Sequence, residues 1–249
     1  MARLSLTDEH WSKLKTTMLE NGIYDKPNLR MMMEGMLYRL RIGCPWRDLP
    51  DVFGLWTTIY KKFNRWSVMG KIHAIFSSLI HEPDLEWIFI DGTIVRAHQH
   101  GTGAARFVSQ AIGRSCGGNS TKIHMAVDSY GLPIHFKLTA GNVHECSVAQ
   151  EFIEELPRSQ YVIADRGYDS ESLRTLIASR KSQSVIPRKS NSKIGNKSVD
   201  WTLYGYRHLV ENVFARLKHF RSIGTRYDKL TATYSSMVAL ACSYLWLPM

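Results

Sequence analysis

The stretch EWIFID, from Glu86 to Asp91, is a short apolar run of aromatic and β-branched residues closed by a carboxylate. It reads as a buried strand, because such side chains suit a pleated surface and a strand covered on both faces shows no polar alternation. A second run of the same kind, YVIAD at Tyr161–Asp165, also ends in a carboxylate. It leads through Gly167 into a helix capped near Asp169 or Ser170, with Glu171 in its first turn. Two strands each delivering an Asp to the end of a sheet predict a site there, since sheets flanked by helices bind ligands at strand carboxyl ends.

Working outward, Lys122–Val127 sets Ile123, Met125 and Val127 against Lys122, His124 and Ala126, the alternation of a half-buried strand. Asp128-Ser129-Tyr130-Gly131 turns the chain and Ile134–Leu138 returns it, giving a hairpin. Residues 147–156 suit a helix and 184–187 a last short strand. The Gly- and Ser-rich residues 100–120 read as a long loop; their Gly118-Asn119-Ser120-Thr121-Lys122 lacks the GxxxxGK[ST] spacing, which excludes a phosphate-binding P-loop.

The first eighty residues read as helical. Leu6, Trp11, Leu14 and Met18 mark one apolar stripe, and Leu29, Met32, Met33, Met36, Leu37 and Leu40 another. In a third segment, Trp56–Trp66, Ile59, Phe63 and Trp66 share a face. Thr57, Thr58, Lys61, Lys62, Asn64 and Arg65 lie opposite. Such a basic, amide-bearing face is what a DNA-reading helix requires; an ordinary bundle with a solvated basic face is the other reading these residues allow. The fold expected is α/β, a mixed sheet with flanking helices over 81–249, preceded by a small all-α helix-turn-helix-like domain over 1–80.

The formal charge of +10 points to a polyanionic partner, and with no lipidation signal or amphipathic membrane helix that partner is nucleic acid rather than membrane. The apolar run Met237–Met249 is too short to span a bilayer and reads as a core helix. Cys44, Cys116, Cys146 and Cys242 form no CxxC pair, and no secretory leader precedes them, which favours a reducing compartment. His98, His100, His124, His135 and His144 fit no zinc spacing, and His124 and His135 are expected to face each other across the hairpin. Asp128 reads as a turn residue, Asp169 as a cap, and Glu145 as a fourth-carboxylate candidate. A serine hydrolase is excluded by the lack of a GxSxG elbow.

The late stretch YGYRHLVENVFARLKHF, Tyr204–Phe220, reads as one helix. Tyr204, Arg207, Glu211 and Lys218 fall within an arc of roughly 60°, opposite an apolar stripe of Leu209, Val210, Val213, Leu217 and Phe220. On the residues alone, Glu211 is either paired with bases on a solvated face or a metal ligand flanked by groups that hold phosphates.

The spacing Tyr204-(x2)-Arg207-(x3)-Glu211-(x6)-Lys218 matches the Y(2)R(3)E(6)K signature of insertion-sequence DDE transposases, and the chain resembles the IS5 family. Ile88–Thr93 resembles that family's first-Asp region, Ala164–Asp169 its second, and Gly43–Pro50 its amino-terminal segment. The resemblance implies a ribonuclease-H-like catalytic domain in which Asp91, Asp165 and Glu211 hold two Mg2+ (or Mn2+) ions. It implies cleavage at the ends of an insertion sequence, joining of the freed 3′-hydroxyl to target DNA, and phosphate contacts from Tyr204, Arg207 and Lys218. The expected partner is double-stranded DNA, both terminal repeats and target. Because two ends must be paired, a homodimer or larger assembly on DNA is expected, in the bacterial cytoplasm at the nucleoid. A DNA-binding protein without catalysis, or a Mg2+-dependent nuclease that cuts without joining, are the alternatives.

Overall fold

The computed structural model describes residues 4–103, 110–190 and 192–249. Packing divides the chain into two units. One comprises residues 1–81, 96–110 and 216–249, the other 82–95 and 111–215. The grouping differs from a division at 80/81, because the last helices cluster with the first.

In the first unit, α1 (Asp8–Glu20) is capped by Thr7, whose side chain accepts from the His10 amide at 3.1 Å. Helix α2 (Leu29–Ile42) buries Leu29, Met32, Met33, Met36, Leu37 and Leu40, the stripe expected from sequence. The carboxylate of Glu34, also buried, accepts from the amides of Ser5 and Leu6 and fastens the amino-terminal segment to α2. Helix α3 (Trp56–Val68) buries Ile59, Phe63 and Trp66, and α4 (Lys71–Leu79) follows. The connection from α2 to α3 runs through two 3₁₀ turns, Trp46–Asp48 and Asp51–Phe53. It is far longer than the roughly three or four residues of a helix-turn-helix. A last helix, residues Thr231–Trp246, is apolar all round and packs against α2, α3 and α4, as such a helix must. Among the described residues, no helix is long and apolar enough to cross a membrane.

The second unit is built on a mixed sheet. Its strands are β1 (Trp87–Ala97), β2 (Gly113–Ser115), β3 (Gly118–Val127), β4 (Pro133–Ala140), β5 (Tyr161–Ala164) and β6 (Gln183–Val185). The order is β2-β3-β1-β5-β6 with β4 paired to β3. Strands β1, β5 and β6 run parallel, while β3 runs antiparallel to β2 and β4. Helices α5 (Glu145–Glu155) and α6 (Glu171–Ser179) pack on one another, and α6 packs on β6. This is the mixed sheet with flanking helices expected from sequence. The last residues of β1, Arg96 and Ala97, belong to the first unit, where they pair with β7 (Thr225–Arg226).

Four sequence expectations change. Strand β1 does not stop at Asp91 but continues to Ala97, because Thr93, Ile94 and Val95 prolong the β-branched run. Strand β3 is not half-buried: Lys122, His124 and Ala126 are as buried as Ile123, Met125 and Val127, so both faces are covered. His124 opposes Lys137 and His135 opposes Ala126; the two histidines share Phe152 as a neighbour without facing each other. The long loop over 100–120 contains a tight hairpin, Gly113–Ser115 against Gly118–Ser120, with Gly118 at φ +93°. Its residues 104–109 lie outside the described residues.

Candidate active site

Asp91 and Asp165 meet through sheet register. Strands β1 and β5 run parallel with Ile90 opposite Ala164, so the next residues, Asp91 and Asp165, stand side by side. Adjacent strands are about 4.8 Å apart. Asp91 therefore lies within its strand, whereas Asp165 follows β5 directly and caps the 3₁₀ turn Arg166–Tyr168. Each carboxylate is set by a backbone amide: Asp91 Oδ1 accepts from Gly92 at 2.8 Å, and Asp165 Oδ1 from Gly167 at 2.9 Å.

The stretch expected to be one helix is two. Helix α7 (Trp201–Gly205) ends before a turn at Tyr206 and Arg207, and α8 (His208–His219) begins after it. Gly205 is a weak helix former, and Tyr206 leaves the helical path to stack on Trp87 at the start of β1, ring centroids 5.4 Å apart. Val210, Val213, Phe214 and Leu217 form the buried stripe of α8, and Leu209 and Phe220 are only half-buried.

The break aims Arg207 at the sheet. Its Nη1 donates to Asp91 Oδ2 at 2.7 Å, and its Nη2 donates to Glu211 Oε1, one turn along. Asp91 and Arg207 are mostly shielded from solvent, while Glu211 is half exposed. Burial pushes the Asp91 carboxyl above the usual range; Arg207 and the Gly92 amide oppose this, and Asp165 adds to it. For Arg207, burial acts to lower its pKa, but Asp91 and then Glu211 outweigh it and raise it further. Tyr204 is half-buried beside Trp201, ring centroids 5.6 Å apart.

A hard divalent cation needs oxygen donors. Asp91, Asp165 and Glu211 supply only carboxylate oxygens, and the guanidinium bridging Asp91 and Glu211 marks a place that already accepts positive charge. In this arrangement, among the described residues, no three His, Cys, Asp or Glu side chains form a metal-holding group. The donor chemistry fits such an ion, and Arg207 stands between two of the donors.

Of three nearby residues, Lys122 and Tyr168 were given no role by sequence reasoning, and His124 only that of a hairpin neighbour of His135. Lys122, buried, donates to Glu145 Oε1 and to the Val143 carbonyl, both at 2.7 Å. His124 and Lys122 sit against Gly92, where an added Cβ would lie 3.5 Å from Lys122 Cδ and 3.6 Å from His124 Nδ1. Tyr168 lies in the turn that Asp165 caps. A buried lysine beside a carboxylate is visible in sequence only once the register of β3 against β1 is known. Glu145, the fourth-carboxylate candidate, is thus ion-paired, and that pairing holds its pKa below normal even though burial, the largest influence, acts to raise it.

In the first unit, Thr57, Thr58, Lys61 and Arg65 lie on the exposed side of α3 and Lys62 is half-buried. Lys62 and Arg65 line a hollow of about 100 Å³ with Lys26 and Lys71. Lys218 lines another, of about 540 Å³, with Gly43, Arg221 and Tyr227.

Residues 82–246 match the family described as "Transposase DDE domain". The chain belongs to this family. Residues 6–76 match a second, described as "Putative transposase of IS4/5 family". Among curated relatives, the "Putative transposase for insertion sequence element IS6501" of Brucella ovis is 35% identical over 128 residues, 51% of this chain and 98% of that protein. The "Putative transposase for insertion sequence element IS402" of Burkholderia cepacia is 29% identical over 133 residues, 49% of this chain and 60% of that one. Among solved structures, a piggyBac transposase synaptic complex with hairpin DNA aligns with a TM-score of 0.46 at 13% identity, covering 97% of this chain and 72% of that one. Membership of the DDE transposase family makes the chain a DNA-cleaving and DNA-transferring enzyme.

Proposed function

We propose that the chain binds the ends of an insertion sequence, cleaves there, and joins the 3′-hydroxyl ends to target DNA with two Mg2+ or Mn2+ ions held by Asp91, Asp165 and Glu211. The observation that carries this reading is the parallel register of Ile90 with Ala164, which sets two carboxylates side by side. When bound, such ions would activate the attacking oxygen and stabilise the leaving one. The chain's residues do the rest. Asp91 and Asp165 are oriented by the Gly92 and Gly167 amides, which leaves Asp165 Oδ2 to face a ligand and Asp91 Oδ2 on Arg207. Arg207 exchanges its two carboxylates for a DNA phosphate, to which its planar fork binds in bidentate fashion. Tyr204 and Lys218 add a hydroxyl and a point charge to the phosphate contacts.

Residues 1–80 act as the end-binding domain, with Thr57, Thr58, Lys61, Lys62 and Arg65 of α3 meeting DNA, and residues 81–249 carry catalysis. The net charge of +10 supports a polyanionic partner. The active form is a dimer or larger on DNA, working in the bacterial cytoplasm. Strand transfer from a pre-cut end oligonucleotide in Mg2+ tests the reading. Asp165→Asn and Glu211→Gln are expected to lose joining and keep end binding; joining at the wild-type rate by either variant would remove that residue from the site.

A further inference from the structure

In the turn that Asp165 caps stands a buried hydroxyl. Tyr168 is 2% exposed, and its hydroxyl makes no hydrogen bond among the described residues. A buried unpaired hydroxyl bears the full loss of its hydration, so phenylalanine would serve the core better unless something accepts that proton. In folded proteins such groups point to an ordered water or an ion.

The residue is held firmly. Its amide donates to the Asp165 carbonyl at 3.1 Å, and the Cys146 thiol donates to the Gly167 carbonyl at 2.9 Å, tying the turn to α5. Gly167 lets the Asp165 carboxylate fold over this turn, since an added Cβ would lie 2.9 Å from Asp165 Oδ1. Burial, followed by the charges of Asp91, Glu145, Asp165 and Cys146, pushes the phenol well above its ordinary range, so it remains a neutral donor. Of the carboxylates around it, Glu145 is engaged by Lys122. Asp165, and Asp91 once the ion displaces Arg207 from its Oδ2, are the acceptors left to share a water with it.

We propose that Tyr168 is a positioning residue for the metal site, its hydroxyl donating to a water shared with Asp91 and Asp165 that becomes a ligand water of the bound divalent ion. Magnesium and manganese keep several waters, so an oriented donor beyond the carboxylates fixes where the coordination shell sits. The proposal rests on the reading of Asp91 and Asp165 as metal ligands.

The test compares wild type, Tyr168→Phe and Asp91→Asn as full chains. Each is melted without metal and then titrated with Mn2+, free ion being followed by electron paramagnetic resonance. Tyr168→Phe is expected to melt at the wild-type temperature or above, because no bond is broken, and to bind Mn2+ about tenfold more weakly. A lower melting temperature with unchanged Mn2+ affinity would mark an ordinary structural hydroxyl and overturn the proposal. If Asp91→Asn weakens Mn2+ binding and Tyr168→Phe does not, Tyr168 alone is wrong. If Asp91→Asn also leaves binding unchanged, the metal-site reading falls and the proposal with it. Should Tyr168→Phe not fold, wild type with 13Cζ-labelled tyrosine in a Tyr204→Phe background decides. The Tyr168 resonance must shift during Mg2+ titration, and a resonance that stays fixed overturns the proposal.

Discussion

Arg207 Nη1 lies 2.7 Å from Asp91 Oδ2, joining residues 116 positions apart in the chain. The same guanidinium binds Glu211 on the next turn of α8. One planar cation therefore links two of the three carboxylates that the family signature singles out. On the proposed function it would compete with a metal for them and hold phosphate once displaced.

Replacing Arg207 should separate metal binding from catalysis. Arg207→Ala is expected to bind Mn2+ a few-fold more tightly, since a competing charge is gone, yet to join DNA far more slowly. Without metal it should lose about 1–3 kcal/mol in urea denaturation, mostly from the Asp91 contact, because the half-exposed Glu211 is screened by water. Arg207→Lys keeps the charge without the fork and should recover less than half of the joining rate. Unchanged Mn2+ affinity in Arg207→Ala would show that the guanidinium does not compete.

Stability should depend on pH through His124. The ring is 1% exposed, bonded to Thr139 Oγ1 at 2.9 Å, and burial, then Lys122, pushes its pKa down to about 4. The unfolded imidazole titrates near 6.5. Below that pH the unfolded chain takes up a proton that the folded chain refuses. The stability is therefore complete above pH 6.5, falls as the pH drops towards 4, and is flat below. The full loss is on the order of 3 kcal/mol. Between pH 7 and 4, denaturant melts of wild type should lose this much more stability than those of His124→Gln; parallel curves would mean that His124 charges in place.

Lys61 and Arg65 lie one helical turn apart on the exposed side of α3. If that side meets DNA, Lys61→Ala and Arg65→Ala should each weaken binding to end DNA. Each should also lower the slope of log affinity against log salt by about one. Binding isotherms at several salt concentrations check this, and identical slopes would place the DNA elsewhere.

Gly43 should resist substitution for two separable reasons. It ends α2 at φ +73°, and an added Cβ would lie 2.9 Å from Arg221 Cβ. Gly43→Ala is expected to cost about 2–4 kcal/mol, combining left-handed strain with overpacking. Gly70→Ala, at φ +68° with nothing within 4 Å of an added Cβ, should cost only about 1–2 kcal/mol. Equal melting temperatures for the two variants would show that the Arg221 contact yields freely.

The Gly43–Pro50 segment shows how a motif acquires a physical meaning. In sequence it is a family likeness punctuated by prolines. In the fold, Arg39 lies over the Trp46 ring at 4.5 Å and pairs with Asp228 at 3.3 Å, while its carbonyl accepts from Ser222 at 2.8 Å. Arg39 of α2 thus ties that helix to residues near the carboxyl end of the chain, with Trp46 of the segment packed on its guanidinium, and this accounts for the last helices grouping with the first.

The amino-acid sequence by itself determined the strands that carry the chain to Asp91 and Asp165, the hairpin between them, the helical first eighty residues and the spacing of Arg207 and Glu211. These follow from local periodicity, which needs no knowledge of neighbours. Tertiary structure alone decided what lies beside what. Parallel pairing of β1 with β5 sets Asp91 next to Asp165, and β3 brings Lys122 and His124 against Gly92. The stack of Tyr206 on Trp87 accompanies the break in the expected helix that aims Arg207 inward. Packing also left the Tyr168 hydroxyl buried without a partner among the described residues. Register and burial depend on contacts between segments tens of residues apart, and a local pattern carries no record of them.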